Sequence, residues 1–174
     1  RRMRACLVAH RVYDSNTHMR QFAQALARRG DQVDVLSLRA WDLPTHDVID
    51  GVSVTRWLHR TVKERGRLSY VASIAAFMAR AAVSLTLRHL RNPYQVIHVQ
   101  AVPDFLVFAA LIPRLLGARV ILDLRDLTPE FYASKYGARQ RSWICRLLRL
   151  AERASARVAD HVIVASPLWI DRVA

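Results

Sequence analysis

Short aliphatic runs alternate along the chain with longer segments whose apolar positions recur every three or four residues. Ala5-Cys6-Leu7-Val8-Ala9 is continuously apolar, as in a central parallel strand covered on both faces. Residues 17–29 follow, with Met19, Phe22, Ala23, Leu26 and Ala27 on one helical face and Gly30 as the stop. Residues 32–38 predict a second strand. An irregular stretch with Pro44 and Gly51 leads to residues 52–58, whose apolar and polar positions alternate like a third strand. The basic segment 60–67 predicts a loop, and 69–90 a long helix. Asn92-Pro93 closes that helix, because the residue before proline disfavours helical geometry.

The second half repeats the alternation. Residues 95–99 predict strand four, and 104–116 a helix entered through Pro103 and ended by Gly117. Residues 119–124 predict strand five, 140–159 a basic amphipathic helix, and 161–165 strand six; Ser166-Pro167 opens a final helix. Such an order implies an α/β fold: a doubly wound, Rossmann-like parallel sheet with right-handed crossovers and strand order 3-2-1-4-5-6. Ligands in these sheets sit beyond the carboxyl ends of the strands. That rule selects residues 10–18, 100–104, 125–130 and Ser166.

At 174 residues the chain has the length of one domain and can bury a sizeable core. Residues 68–87 approach the length of a membrane span, but Arg80 interrupts them and they are rich in Ala and Ser, so they predict a helix packed on the sheet. Cys6 and Cys145 are far apart in apolar runs, which predicts two reduced core cysteines and no zinc site. The net charge is +13, almost all from Arg, since Lys63 and Lys135 are the only lysines. Such a surface attracts phosphate-bearing partners. No nucleic-acid-binding signature accompanies the charge, so nucleic acid is not expected.

The strand ends hold the candidate chemistry. After strand one, Ser15, Asn16, Thr17 and His18 replace any G-x-G-x-x-G, which argues against a dinucleotide cofactor. Ser15 or Asn16 suits the cap of the first helix; alternatively the helix-start amides, with His18 and Arg20, hold an anionic or polyhydroxyl ligand. Gln100 and Asp104 follow strand four, where Asp104 suits either the helix macrodipole or a substrate contact. After strand five, Asp123, Arg125, Asp126 and Glu130 cluster. Arg125 can pair with a neighbouring acid or take a phosphate or carboxylate, while Asp126 and Glu130 suit sugar hydroxyls. His98 is expected as a core histidine, and His46, His59 and His89 at the surface. No metal-ligand cluster, P-loop or Ser/His/Asp arrangement appears in the sequence.

Three segments carry a resemblance. YQVIHVQAVPDFLVFAA (94–110) resembles the YDVIHVHNxPDFLVFAA segment of family-4 glycosyltransferases, and GARVILDLRDLTPEFY (117–132) is similar to their GAKVILDxHDxxPEFY. HMRQFAQALARRGDQVDVLSLR (18–39) resembles their RVRRxAxxLAxRGHxVDVLxLR, and Gly51-Val52 with Val54 fits GVxVxR. The resemblance implies the N-terminal, acceptor-side half of a retaining GT-B enzyme that takes a sugar from a nucleotide donor. It implies catalytic duty for Asp126 and Arg125, and acceptor contacts from Ser15, Asn16, Thr17, His18, Gln100, Asp104, Glu130 and Ser166. It implies no cofactor and no metal, with the donor held mainly by a C-terminal domain that residues 1–174 do not include. The sequence departs from the family at Asn16 and His18, where relatives have Asp and Arg, at Gln100 for His, and at Arg125 for the His of HD.

The expected partners are a glycan or lipid-linked acceptor, an anionic membrane met by the basic helices over 139–157, and a second copy through the interdomain face. The expected setting is bacterial surface polysaccharide or glycolipid synthesis, cytoplasmic or peripheral at the inner membrane face, with the fragment alone inactive. The competing reading is a non-catalytic membrane-docking subunit that recruits a separate catalytic partner.

Overall fold

β1 (Arg4–Val12) lies at the centre of a seven-stranded sheet. The computed structural model describes residues 2–40, 42–59, 67–101, 104–124 and 143–165. On one side of β1 come β2 (Gln32–Arg39), β4 (Val52–His59) and the edge strand β3 (His46–Ile49). On the other side come β5 (Val96–Ala101), β6 (Arg119–Leu124) and β7 (His161–Val164). All pairings are parallel except β3 with β4. Setting β3 aside, this is the strand order expected from the sequence.

Strands are added first on one side of β1 and then on the other, and right-handed crossovers therefore put the early and late helices on opposite faces. The side chains of β1 divide accordingly. Leu7 and Ala9 pack with Met19 and Ala23 of α1 (Thr17–Arg28). Cys6 and Val8 join the larger core, which takes Phe77, Ala81 and Leu85 from α2 (Arg67–Arg91) and Leu106 and Val107 from a 3-10 helix (Asp104–Ala110). That helix continues into α3 (Leu111–Leu115), and α4 (Trp143–Val158) covers the same face. The apolar segment over 68–87 is thus the β4–β5 crossover, with one stripe buried, as the sequence implied. Burial of Phe77, the largest of these side chains, makes Phe77→Ala an expected loss of about 3–5 kcal/mol.

Three features differ from the sequence expectation. Residues 46–49 form a strand, not irregular chain, because Asp50 (φ 52°) and Gly51 (φ 80°) both adopt left-handed geometry and fold β3 onto β4 in a two-residue hairpin. Residues 104–116 are not one α-helix. A continuous α-helix would drive the Pro113 ring into the Ala109 carbonyl; with the α turn starting at Leu111, Pro113 falls in its first turn and the preceding residues wind as 3-10. His89 is buried rather than at the surface, its Nδ1 accepting the Tyr94 N–H at 3.1 Å.

Polar groups fasten the amino ends of the strands. The Arg4 guanidinium meets Asp34 at 2.7 Å and stacks 4.0 Å over the Tyr94 ring, whose hydroxyl donates to Asp34 at 2.6 Å. Burial, with help from Asp34, pushes the Cys6 thiol up to about 12, so it stays an inert core thiol. Asp31 accepts the Met3 N–H at 2.9 Å, and Asp160 accepts the Val120 N–H at 2.8 Å. Those backbone bonds, reinforced by Arg29 and Arg114, hold both carboxyls below the usual range. A carboxyl lowered in the folded state adds stability above its unfolded pKa of about 4 and loses it as pH falls through the folded value. The melting temperature is therefore expected to hold between pH 7 and 5 and to drop below pH 4. In a thermal melt series, Asp160→Asn should show a shallower acid drop than the wild type.

Candidate functional site

The loop after β1 is built on a buried cation. β4 carries Arg56 into the interior, where its side chain is 0% exposed. A buried guanidinium needs carboxylates and acceptors around it. Asp14 supplies a two-pronged partner, with Nε and Nη2 each donating at 3.2 Å. Asp47 of β3 lies at 3.6 Å, and the Pro44 carbonyl accepts at 3.2 Å. Asp14 sits in the 3-10 turn Tyr13–Ser15, so Arg56 ties that turn to the hairpin edge. Arg20, expected near a ligand, instead donates to the Asp14 carbonyl at 3.3 Å and tightens the same turn.

The turn delivers Asn16 to the start of α1. Asn16 Oδ1 accepts the Met19 N–H at 3.3 Å as the helix cap, and Asn16 Nδ2 donates to Gln100 Oε1 at 2.5 Å. One side chain therefore both caps α1 and links it to the carboxyl end of β5. The capping reading of Asn16 holds, and its amide also reaches across to Gln100.

Beside this contact lies a buried carboxylate. Asp123 of β6 is 3% exposed and stands in register with Gln100. Its Oδ2 meets His18 Nδ1 at 3.5 Å and His98 Nε2 at 3.4 Å. A carboxylate oxygen accepts, so His98 Nε2 is the donor of that hydrogen bond, with the His18 ring close beside it. Phe22, one turn after His18 on α1, stands edge-on to both rings, with centroids 4.8 and 5.2 Å away. Leu7 and Met19 complete the walls of the small pocket that Asp123, His98 and Gln100 floor.

Of the residues singled out by sequence, the structure brings together Asn16, His18 and Gln100. Ser15 is exposed, its hydroxyl donating to the Val12 carbonyl at 3.2 Å, and Thr17 is the exposed first residue of α1; neither joins the cluster. Asp104 opens the 3-10 helix, its side chain lying outside the described residues. Arg125, Asp126, Glu130 and Ser166 also lie outside the described residues. Sequence reasoning missed the pairing of His98 with Asp123 and the role of Asp14 and Arg56. His98 is largely buried, as expected of a core histidine, yet it shares its sheet face with Gln100, two residues on, and that period-two spacing was the available signal. Among the described residues no group of His, Cys, Asp and Glu has the arrangement of a metal site.

Residues 15–174 match the family model described as glycosyl transferase 4-like domain. Among solved structures, sucrose-phosphate synthase from Thermosynechococcus elongatus superposes with a TM-score of 0.69 at 19% identity, covering 98% of this chain and 45% of that one. Phytolacca americana UGT2, complexed with UDP-2fluoro-glucose and pterostilbene, gives 0.63 at 12% identity over 95% of this chain and 48% of that one. Os79 from O. sativa, in complex with UDP, gives 0.58 at 16% identity over 93% and 46%. At such identities the likeness establishes the fold, one Rossmann-like half of a GT-B architecture. The chain spans about half the length of these structures. No curated protein sequence matches it significantly.

Removing Asp14 leaves Arg56 buried with only the more distant Asp47 as a counter-charge. In urea denaturation Asp14→Ala is expected to cost about 3 kcal/mol, the low end for breaking a buried pair. Arg56→Met leaves two part-exposed carboxylates instead of a buried cation and should cost less.

Proposed function

The chain belongs to the glycosyl transferase 4-like family, and from that premise we propose that it is the acceptor-side half of a retaining glycosyltransferase with a nucleotide-sugar donor. The observation that carries the acceptor assignment is the polar cluster of Asn16, His18, His98, Gln100 and Asp123 at the carboxyl ends of β1, β5 and β6. A sugar acceptor needs hydrogen-bond donors and acceptors set beside an apolar wall on which a ring can rest. Amide, imidazole and carboxylate groups beside Phe22 answer that need. His18 lies with Nδ1 toward Asp123, which leaves Nε2 to meet a hydroxyl. Asp126 and Arg125 belong to the reacting centre by family resemblance, with Glu130, Asp104 and Ser166 on the acceptor. The donor nucleotide belongs to a second domain, and no cofactor or metal is invoked. The acceptor is a glycan or lipid-linked sugar of bacterial surface polysaccharide or glycolipid synthesis, at the cytoplasmic face of the membrane. The fragment alone is inactive, and its interdomain face is able to pair with a second copy.

In the full-length protein, His18→Ala and Asp123→Asn are expected to lower kcat/KM for the acceptor by about tenfold or more. The donor dissociation constant, read by calorimetry, should change less than about twofold, well under the tenfold that 1.4 kcal/mol represents. Equal losses in donor affinity would sink the acceptor assignment. An inverted anomeric product by NMR would remove the retaining outcome alone. Folded full-length protein that binds membranes and transfers no sugar would instead favour a docking subunit.

A further inference from the structure

The face of α2 turned away from the sheet is apolar. Its inner stripe, with Phe77 and Leu85, is fully buried, as a crossover helix requires. The outer stripe carries Val83 at 60%, Leu87 at 50% and Leu90 at 63% exposure. These positions recur at helical spacing and form a line along the helix. α3 packs beside α2 and adds Ile112, Leu115 and Leu116, exposed by 51%, 74% and 52%. Apolar side chains clustered this way mark a surface that meets something.

Charge selects the occupant. From Arg67 to Leu122 the sole acidic residue is Asp104, while Arg80, Arg88 and Arg91 lie along α2. A groove of about 570 Å³ runs beside them, with Trp57, Val83 and Leu87 in its apolar lining and these three arginines in its basic lining. Tryptophan, aliphatic side chains and arginine in one groove match the boundary between acyl chains and anionic headgroups. α2 is long and apolar enough to cross a bilayer, but β4 and β5 at its two ends belong to one sheet, and its inner stripe is the core. It can therefore lie on a membrane but not span one. A second copy is a poor occupant, because a two-fold contact would bring arginine-lined faces together in a chain of net charge +13. The basic helix α4 is a different surface, where the exposed Arg153 and Arg157 flank the inward Glu152 and Ser155.

We propose that the outer face of α2 and α3 is the docking surface for an anionic lipid membrane. The assignment stands whether or not the rim at β1, β5 and β6 takes an acceptor sugar. It places the membrane against α2 and α3, not at α4.

Vesicle flotation of the full chain tests it, with phosphatidylcholine alone and with a quarter phosphatidylglycerol. Wild-type protein should float with the anionic vesicles and at least about tenfold less with neutral ones, as the headgroup charge requires. Leu87→Glu with Leu115→Glu touches only exposed positions and should keep the wild-type circular dichroism while losing at least about tenfold in bound fraction, because both carboxylates enter the acyl boundary. Brominated phosphatidylglycerol should quench the wild type more than Trp57→Phe. The proposal fails if the wild type ignores anionic vesicles, or if the folded double variant floats as well as the wild type. It also fails if Trp57→Phe leaves the quenching unchanged, or if Arg153→Gln with Arg157→Gln alone abolishes flotation. A concentration-dependent dimer in sedimentation, lost in the double variant, would give the face to a second copy.

Discussion

A guanidinium taken out of water must be met on every side, and Arg56 imposes that condition on the carboxyl end of the sheet. Asp14 on one stretch of chain, and Asp47 and the Pro44 carbonyl on another, answer it. The turn after β1 is therefore held by charge rather than by glycine. Because that turn is fixed, Asn16 can cap α1 and still reach Gln100, and His18 comes to Asp123. The rim is organised from the first half of the sheet outward.

The same physics recurs at Asp123 with the sign reversed. A carboxylate at 3% exposure is tolerable only with donors beside it, and two imidazoles from different elements supply them. Phe22 stands edge-on to both rings. The helical layer on the other face obeys another rule. There, one stripe of α2 fills the core and the opposite stripe stays apolar in water among arginines.

Much of this was legible in the sequence. The continuous run Ala5 to Ala9, the helical spacing of Met19 and Ala23, and the β–α alternation fix strand order, because burial on both faces and crossover handedness leave few alternatives. The hairpin at Asp50-Gly51 was also readable, since that pair carries the left-handed turn geometry, as was the effect of Pro113 on its helix. The reach of Asn16 to Gln100 was not: the two are 84 positions apart, and only the adjacency of β1 and β5 joins them.

Periodicity and punctuation by themselves thus determined the α/β class and the order of the parallel strands, because these follow from local backbone preference and the need to bury apolar faces. Tertiary structure alone decided that Arg56 would be sealed inside with Asp14, that His18 and His98 would share one carboxylate, and that the outer stripe of α2 would be left uncovered. Desolvation of a charge or an apolar face depends on which distant segments close over it, and that information resides in the packed chain and not in any window of sequence.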